Sequence, residues 1–170
     1  MRPNTKVTIF TVYLLTFFFF NFGCQKQAGA GPTAPDFTLT DTYGHKISLN
    51  QYRGRIVVLD FWATWCGPCL AAIPELVKLQ EKHRDQGLVI FGITMDDPQM
   101  VTDEDLRAFK KKAKINYTIL RFNNKVAQDY LGDPPAIPAV FLIDREMKII
   151  DKIVGYRPGA LEKSLMQVLK

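Results

Sequence analysis

The sequence contains few of the residues that bind metal ions. Only three cysteines and two histidines occur among its 170 residues, and of these only Cys66 and Cys69 are close neighbours. A structural zinc site takes four such ligands, usually as two close pairs or as a pair joined by histidines. The other candidates, Cys24, His45 and His83, are scattered along the chain. This shortage argues against a zinc site, and we expect both histidines to be ordinary surface residues.

Long apolar runs are scarce as well. The one continuous run is VTIFTVYLLTFFFF, residues 7–20, and it follows Arg2 and Lys6. Its length is typical of the apolar part of a signal peptide and falls below the roughly 20 residues of a membrane-spanning helix. We therefore predict that residues 1–23 are an export signal. An uncleaved membrane anchor, extended by residues 21–23, stays open as the alternative.

The chain also lacks a strong excess of one charge. Its net charge is +5, and its densest basic stretch, residues 110–114, follows Asp103, Glu104 and Asp105 in one predicted helix. Acids at the start of a helix and lysines at its end both complement the helix dipole. We interpret these lysines as a solvated helix face rather than a lipid-binding patch, and we predict no nucleic-acid partner.

The rest of the chain has the pattern of one α/β domain. Residues 24–34 are small and polar and are predicted to be a flexible linker, so the domain covers residues 35–170. Within it, IVVLDFW is apolar on both faces and is predicted to be a central strand. Helical patterns alternate with the further strand-like segments LVIFGITMD, YTILRF, AVFLID and KIIDKIVGY. This order predicts a mixed β-sheet with helices on both faces.

The pair in WCGPC can exchange electrons. A structural disulfide between Cys66 and Cys69 would close a very short loop and would constrain the unfolded chain little. If Cys66 caps a helix that begins at Gly67, the free N–H groups and the helix dipole lower the pKa of its thiol below the roughly 8.5 of a free cysteine. Cys69, one turn further on, would then be shielded. Pro68 suits the first helical turn, where its missing N–H costs nothing.

Two further aromatic residues flank this motif. We predict that Trp62, at the end of the central strand, packs in the core. Trp65, directly before Cys66, is predicted to form an apolar rim of the site, and Gly67 leaves the sulfur of Cys66 open on one side.

The motif and its surroundings carry a family resemblance. DFWATWCGPC resembles the active-site segment of the thioredoxin superfamily, and the chain from Pro35 onward resembles its membrane-anchored TlpA/ResA branch. APDFTL, GHKISLNQYRGRIVVLDFWATWC, Pro74, FGITMDD and IPAVFLID occur there in this order. The resemblance implies a thioredoxin-like three-layer fold: a central mixed β-sheet flanked by helices, with an N-terminal β extension and a central insertion.

The resemblance also implies roles for single residues. Cys66 would be the attacking cysteine and Cys69 the resolving one. Pro138 matches the cis-proline of the family, and the backbone of Ile137 would pair with an extended substrate segment. Burial on the central strand raises the pKa of Asp60, and the resemblance makes it the candidate general base for Cys69. A strand-end aspartate that reaches water or a backbone N–H is the alternative.

The sequence departs from the branch at several positions. Members that mature cytochrome c carry glutamates where this chain has Gly67 and Ala72, which favours a more general reductant. Ile137 replaces the commoner threonine, and the loop LGDPPAIP is about two residues longer than is usual.

A second resemblance concerns the N-terminal segment. NFGC resembles the lipobox of bacterial lipoproteins, although Asn21 stands where leucine is usual. Lipidation of Cys24 is the favoured hypothesis, and cleavage without lipidation stays open.

Together these features predict an extracytoplasmic, membrane-anchored thiol–disulfide oxidoreductase that faces the periplasm and reduces disulfides of exported proteins. Its redox group would be the Cys66–Cys69 disulfide itself, without a further cofactor. The resemblance implies a membrane thiol transporter of the CcdA/DsbD type as reductant and apocytochrome c as the leading substrate. A peroxidase is the first alternative, since peroxiredoxins share APDFTL, but their attacking cysteine follows Thr-x-x and this chain has Ala63. A client-binding module that uses Trp65 and Ile137 without redox turnover is the second.

Overall fold

The computed structural model describes residues 31–169. The predicted signal peptide, Cys24 and residues 25–30 of the predicted linker lie outside the described residues. Within residues 31–169, no helix has both the length and the apolar character needed to cross a bilayer.

Strands and helices alternate along the described chain. The strands are β1 (Thr38–Thr40), β2 (Lys46–Ser48), β3 (Ile56–Trp62), β4 (Leu88–Thr94), β5 (Thr118–Arg121), β6 (Ala139–Ile143) and β7 (Ile149–Val154). The helices are α1 (Gly67–His83), α2 (Asp103–Lys112), α3 (Asn124–Leu131) and α4 (Ala160–Val168), with short 3-10 turns at Leu49–Tyr52 and Arg84–Gln86.

Strand β3 lies at the centre of a five-stranded mixed sheet, in the order β5-β4-β3-β6-β7. It runs parallel to β4 and antiparallel to β6, so that Asp60 is flanked by Gly92 on one side and Val140 on the other. Every residue of β3 is buried, because a central strand covered on both faces needs apolar side chains in both directions. The predicted central strand is confirmed.

Two apolar cores cover the two faces of this sheet. Alternate residues of β3 point to opposite faces: Val58 and Trp62 belong to the core under α1, α2 and α4, whereas Leu59 and Phe61 belong to the core under α3 and the β1–β2 pair. Helices therefore lie on both faces, as the sequence predicts.

Strands β1 and β2 form a separate antiparallel pair, which is the predicted N-terminal β extension. Their turn contains Gly44 at a φ of +88°, a conformation that glycine adopts without steric cost. Asp41 forms an isolated bridge with Leu120 of β5. FGITMDD, around which the resemblance places the central insertion, forms the end of β4 and the start of the loop that leads to α2.

The chain joins the fold earlier than the predicted domain start at Pro35. Thr33 bridges Lys148 in the turn between β6 and β7, and the N–H of buried Ala34 donates to the carbonyl of Met147 at 2.8 Å. The predicted linker, residues 24–34, is therefore too long at its C-terminal end. Small polar residues predict flexibility from composition alone, and composition does not reveal pairing with a distant turn.

The histidines differ from each other. His45 is exposed and lies 3.1 Å from the carboxylate of Asp41, as expected for a surface residue. His83 is buried, and its Nδ1 lies 2.6 Å from Oε1 of Gln86. The expectation of a surface position was wrong for His83, because the last turn of α1 packs its side chain inward.

Candidate active site at the start of helix α1

Cys66 and Cys69 form a disulfide with their Cα atoms 5.2 Å apart. Cys66 is also the N-cap residue of α1, and its Sγ accepts a hydrogen bond from the N–H of Cys69 at 3.3 Å. The cap predicted from the sequence is confirmed. A thiolate at this position would receive the same N–H and the positive end of the helix dipole, and both lower the pKa of a thiol.

The surroundings of the disulfide leave it accessible from one side. Cys66 is 6% exposed and Cys69 only 1%. Gly67 and Pro68 are exposed, and a Cβ at Gly67 would meet no atom within 4 Å. Trp65 is 70% exposed beside them. An incoming group can therefore approach Cys66 over Gly67 and along the apolar face of Trp65, while Cys69 lies beneath.

Asp60 lies in the core on the same face of the sheet as the cysteines. It alternates in phase with Val58 and Trp62, whose core cluster includes Cys66 and Cys69. Its side chain is 1% exposed, and neither carboxylate oxygen has a hydrogen-bond partner in the described part of the chain. Burial raises the pKa of Asp60 to about 7. This burial keeps Asp60 from bulk water, and no described backbone N–H donates to it, which argues against the alternative of a strand-end aspartate.

A second buried carboxylate holds the loop before Cys66. Asp96, just beyond the end of β4, accepts the N–H of Thr64 at 3.0 Å and its hydroxyl at 2.8 Å. It also accepts the hydroxyl of Thr94 at 2.6 Å. Thr64 is two residues from Cys66, so these bonds fix the backbone that carries the sulfur.

Pro138 borders the site from the neighbouring strand. The Ile137–Pro138 peptide bond is cis, as the family resemblance implies. Strand β6 begins directly after it and pairs Ala139 with Phe61, which brings Pro138 to the end of β3 that leads into the cysteine loop. Ile137 is half-buried and lies outside the ladder of the sheet. A groove continues from Pro138, lined among others by Ala72, Glu75, Tyr156 and Arg157.

The predicted site residues of the described chain therefore come together where the central strand β3 ends and leads into α1. Trp65, Gly67 and Pro68 lie at the surface, and Asp60 lies below them. Cys24, the predicted lipidation site, lies outside the described residues. Sequence reasoning missed Asp96, although a polar residue at the carboxyl end of a buried strand is where sites in α/β sheets occur.

Across residues 31–169, no three His, Cys, Asp or Glu side chains gather as metal ligands.

The sequence is similar to known thiol–disulfide oxidoreductases. The AhpC/TSA family model matches residues 30–152. The thiol-disulfide oxidoreductase ResA of Geobacillus kaustophilus (strain HTA426) is 35% identical over 136 residues, covering 79% of this chain and 75% of that protein. ResA of Geobacillus thermodenitrificans (strain NG80-2) is 31% identical over 163 residues, which is 91% of each chain.

Solved structures agree with the sequence relatives. The thioredoxin domain of a thiol-disulfide oxidoreductase from Bacteroides vulgatus matches with a TM-score of 0.72 and 26% identity, over 84% of this chain and 99% of that one. With its cysteine pair at the start of α1 in a thioredoxin-like sheet, the chain belongs to the AhpC/TSA family and is a thiol–disulfide oxidoreductase related to ResA.

Proposed function

We propose that this chain is a membrane-tethered, extracytoplasmic reductase of disulfides in exported proteins, with Cys66 as the attacking and Cys69 as the resolving cysteine. The observation that carries the proposal is the capping of α1 by the sulfur of Cys66. An N-cap thiolate is stabilised where an ordinary thiol is not, and the partner sulfur already lies within bonding reach.

The reaction begins at the thiolate of Cys66. It attacks one sulfur of a substrate disulfide, so that a Cys66–substrate bond forms and the substrate S–S bond breaks. The other substrate sulfur leaves as a thiolate and takes a proton from water. The approach over Gly67 is open, and the exposed ring of Trp65 offers apolar contact to the incoming chain.

The second step completes the transfer of two electrons from the protein cysteines to the substrate. Cys69 gives its proton to the carboxylate of Asp60 and attacks Cys66, forming the Cys66–Cys69 bond and breaking the mixed disulfide. The second substrate sulfur leaves and is protonated. A pKa of about 7 suits Asp60 to this role, because a base works best when its proton affinity is near the working pH.

Substrate binding would use the edge beside Pro138. Ile137 lies ahead of β6 and outside its ladder, which leaves its backbone to pair with an extended segment in the manner of strand addition. The groove lined by Ala72, Glu75 and Arg157 would receive a side chain next to the target disulfide. At position 72 the lining of this groove is a methyl group instead of a carboxylate.

The setting of the reaction rests on the sequence. The export-signal pattern of residues 1–23 and the lipobox-like NFGC support a tether through Cys24. A membrane thiol transporter of the CcdA/DsbD type would re-reduce the Cys66–Cys69 disulfide, and apocytochrome c is the leading substrate. No cofactor besides that disulfide is needed. Mass spectrometry of the membrane fraction tests the tether, since a Cys24→Ala variant should lose the acylated N-terminus that the wild type carries.

Insulin reduction and thiol alkylation test the proposed chemistry. The wild type should reduce insulin in the presence of dithiothreitol, Cys66→Ser should be inactive, and Cys69→Ser should accumulate a mixed disulfide with substrate. Iodoacetamide should alkylate Cys66 with a midpoint below the roughly 8.5 of a free thiol. A midpoint at or above that value would contradict the proposal.

The alternatives predict other outcomes in the same assays. A peroxidase would consume hydrogen peroxide faster than it reduces insulin. If the chain were a client-binding module, the wild type and the Cys66→Ser variant would protect unfolded proteins equally well. Either result, together with a failure of the wild type to reduce insulin, would favour that alternative over the proposed function.

A further inference from the structure

Three buried side chains near the cysteines carry polar atoms without a partner. They are Asp60, Trp62 through Nε1, and Tyr117 through its hydroxyl, each without a hydrogen bond to any described residue. All three are buried. Native proteins pair the great majority of buried polar groups, so unpaired ones call for an explanation. Here one acceptor and two donors occur on one face of the sheet.

Gly92 is the point at which these groups meet. It is the register partner of Asp60 in the parallel β3–β4 ladder. A Cβ at Gly92 would lie 2.9 Å from Nε1 of Trp62 and 3.1 Å from Cε2 of Tyr117. Both rings therefore lie against the bare backbone beside Asp60, and the absence of a side chain at Gly92 is what admits them.

Among residues 31–169, no charged side chain shifts the pKa of Asp60. Helix α1 brings Cys66 and Cys69 to this face, and the segment before β5 brings Tyr117. The flanking residues of β4 and β6, Gly92 and Val140, have no titratable group. Burial is the sole cause that raises the pKa of Asp60. The pKa of Tyr117 is raised by burial and then by the charge of Asp60, so Tyr117 stays a neutral donor.

We propose that Tyr117 and Trp62 are positioning residues of the reaction: their O–H and N–H groups, through a bound water, hold Asp60 in the ionised form that accepts the proton of Cys69. A carboxylate in an apolar core needs donors to stay ionised, and these two are the neutral donors beside Gly92. The reaction role rests on the proposed function, whereas the link between Tyr117 and Asp60 does not.

Replacing Tyr117 by phenylalanine tests this link, because it removes one oxygen and keeps the ring. Carboxyl carbon NMR of the oxidised full chain in detergent micelles, with ¹³C-labelled aspartate, gives the titration midpoint of Asp60. Loss of a donor to a charged group should raise that midpoint by about one to two pH units. Resolution of the mixed disulfide at pH 7 should slow by about fivefold to fiftyfold as less Asp60 is ionised.

Tyr130→Phe is the matched control. Tyr130 is also buried, but it lies on the other face of the sheet and donates to the carbonyl of Pro35 at 2.6 Å. Its loss should leave the Asp60 midpoint unchanged. Trp62→Phe removes the second donor and should raise the midpoint in the same direction, which keeps the proposal testable if Tyr117→Phe does not fold.

An Asp60 midpoint that is unchanged in folded Tyr117→Phe would overturn the proposal. Failure of the proposed function would be a different result, in which the wild type does not reduce insulin at all while the NMR midpoint still responds to Tyr117→Phe.

Discussion

Cys66 combines two tasks in one sulfur atom. In the oxidised protein this sulfur caps α1 and is bonded to Cys69. When the disulfide opens, the N–H of Cys69 remains a donor, and a hydrogen bond to a thiolate is stronger than one to a neutral sulfur. Capping therefore favours the charged form of the attacking group, and the same bond orients it.

The second residue with an unusual environment, Asp60, makes the stability of the protein depend on pH. Its pKa of about 7 in the folded protein lies above the ordinary 3.8, so the folded state binds more protons between these values. The contribution of Asp60 to the free energy of unfolding is then fully present below about pH 4 and is lost as the pH rises through 7, by at most about 1.4 kcal/mol per pH unit. For the oxidised Asp60→Asn variant we expect this fall to disappear and the free energy of unfolding at pH 8 to exceed that of the wild type by about 2–4 kcal/mol.

Urea unfolding of the oxidised proteins at pH 4 and pH 8 measures this effect. Asp85→Asn is the control, because Asp85 is exposed and its replacement should leave the pH dependence unchanged. An Asp60→Asn variant that loses stability with pH as steeply as the wild type would mean that another group is responsible.

Asp96 should matter for stability and activity together. Asparagine in its place would turn an N–H₂ group toward the N–H or the hydroxyl of Thr64. Both of these groups donate to Asp96 in the wild type, so one of them would lose its acceptor. We expect Asp96→Asn to lower the free energy of unfolding by about 1–3 kcal/mol and to slow insulin reduction, since the loop before Cys66 loses its anchor. The side chain of its exposed neighbour Asp97 accepts the N–H of Gln99 at 2.8 Å, a local bond near the surface. Asp97→Asn should therefore change the free energy of unfolding by less than about 0.5 kcal/mol. Equal effects of the two variants would contradict the role of Asp96.

At the level of strands and helices, local patterns predicted most of the fold. IVVLDFW is recognisable as β3 because it is apolar on both faces. Cys66 is recognisable as a helix cap, which the structure confirms through its bond from the N–H of Cys69 at 3.3 Å. The bridge from Thr33 to Lys148 and the tie from Asp96 to Thr64 join residues far apart in sequence. No periodicity or composition encodes such pairs, which is why the domain start and the loop anchor escaped prediction.

Strand β4 contains a position where only glycine is compatible with its neighbours. A methyl group at Gly92 would come within 2.9 Å of Trp62 and 3.1 Å of Tyr117, both of them ring systems fixed in the core. Gly92→Ala should therefore lower the free energy of unfolding by about 1–3 kcal/mol, as overpacking does in other cores. Urea denaturation followed by tryptophan fluorescence measures the change.

Gly67→Ala provides the comparison for this substitution. Gly67 is the first residue of α1, and a Cβ there would meet nothing within 4 Å. Alanine is also the better helix former, so stability should stay equal or rise slightly. Equal stabilities of Gly92→Ala and Gly67→Ala would contradict this prediction, because the rings of Trp62 and Tyr117 would then have to move at no cost in free energy.

For the molecule as a whole, the balance between the oxidised and reduced states decides the direction of electron flow. The disulfide of Cys66 and Cys69 is buried against the same core as Asp60, whose pKa no charged group lowers. Reduction near neutral pH adds a thiolate close to this carboxylate, and like charges in an apolar interior repel each other. This repulsion favours the disulfide form, which is the property of a reductant, and it opposes the stabilisation that helix capping gives the thiolate of Cys66.

A thermodynamic cycle turns this argument into a measurement. The unfolded chains define a common reference, so a reductant must be more stable to unfolding when oxidised than when reduced. We expect a higher urea midpoint for the oxidised wild type at pH 8, with a gap that narrows in Asp60→Asn because the repulsion is removed. Each 1.4 kcal/mol of that gap corresponds to about 30 mV of reduction potential. A double Cys66→Ser, Cys69→Ser variant with and without dithiothreitol controls for the reductant itself. A reduced protein more stable than the oxidised one would instead identify an oxidant, as is the case for DsbA, whose reduced form is the stabilised one.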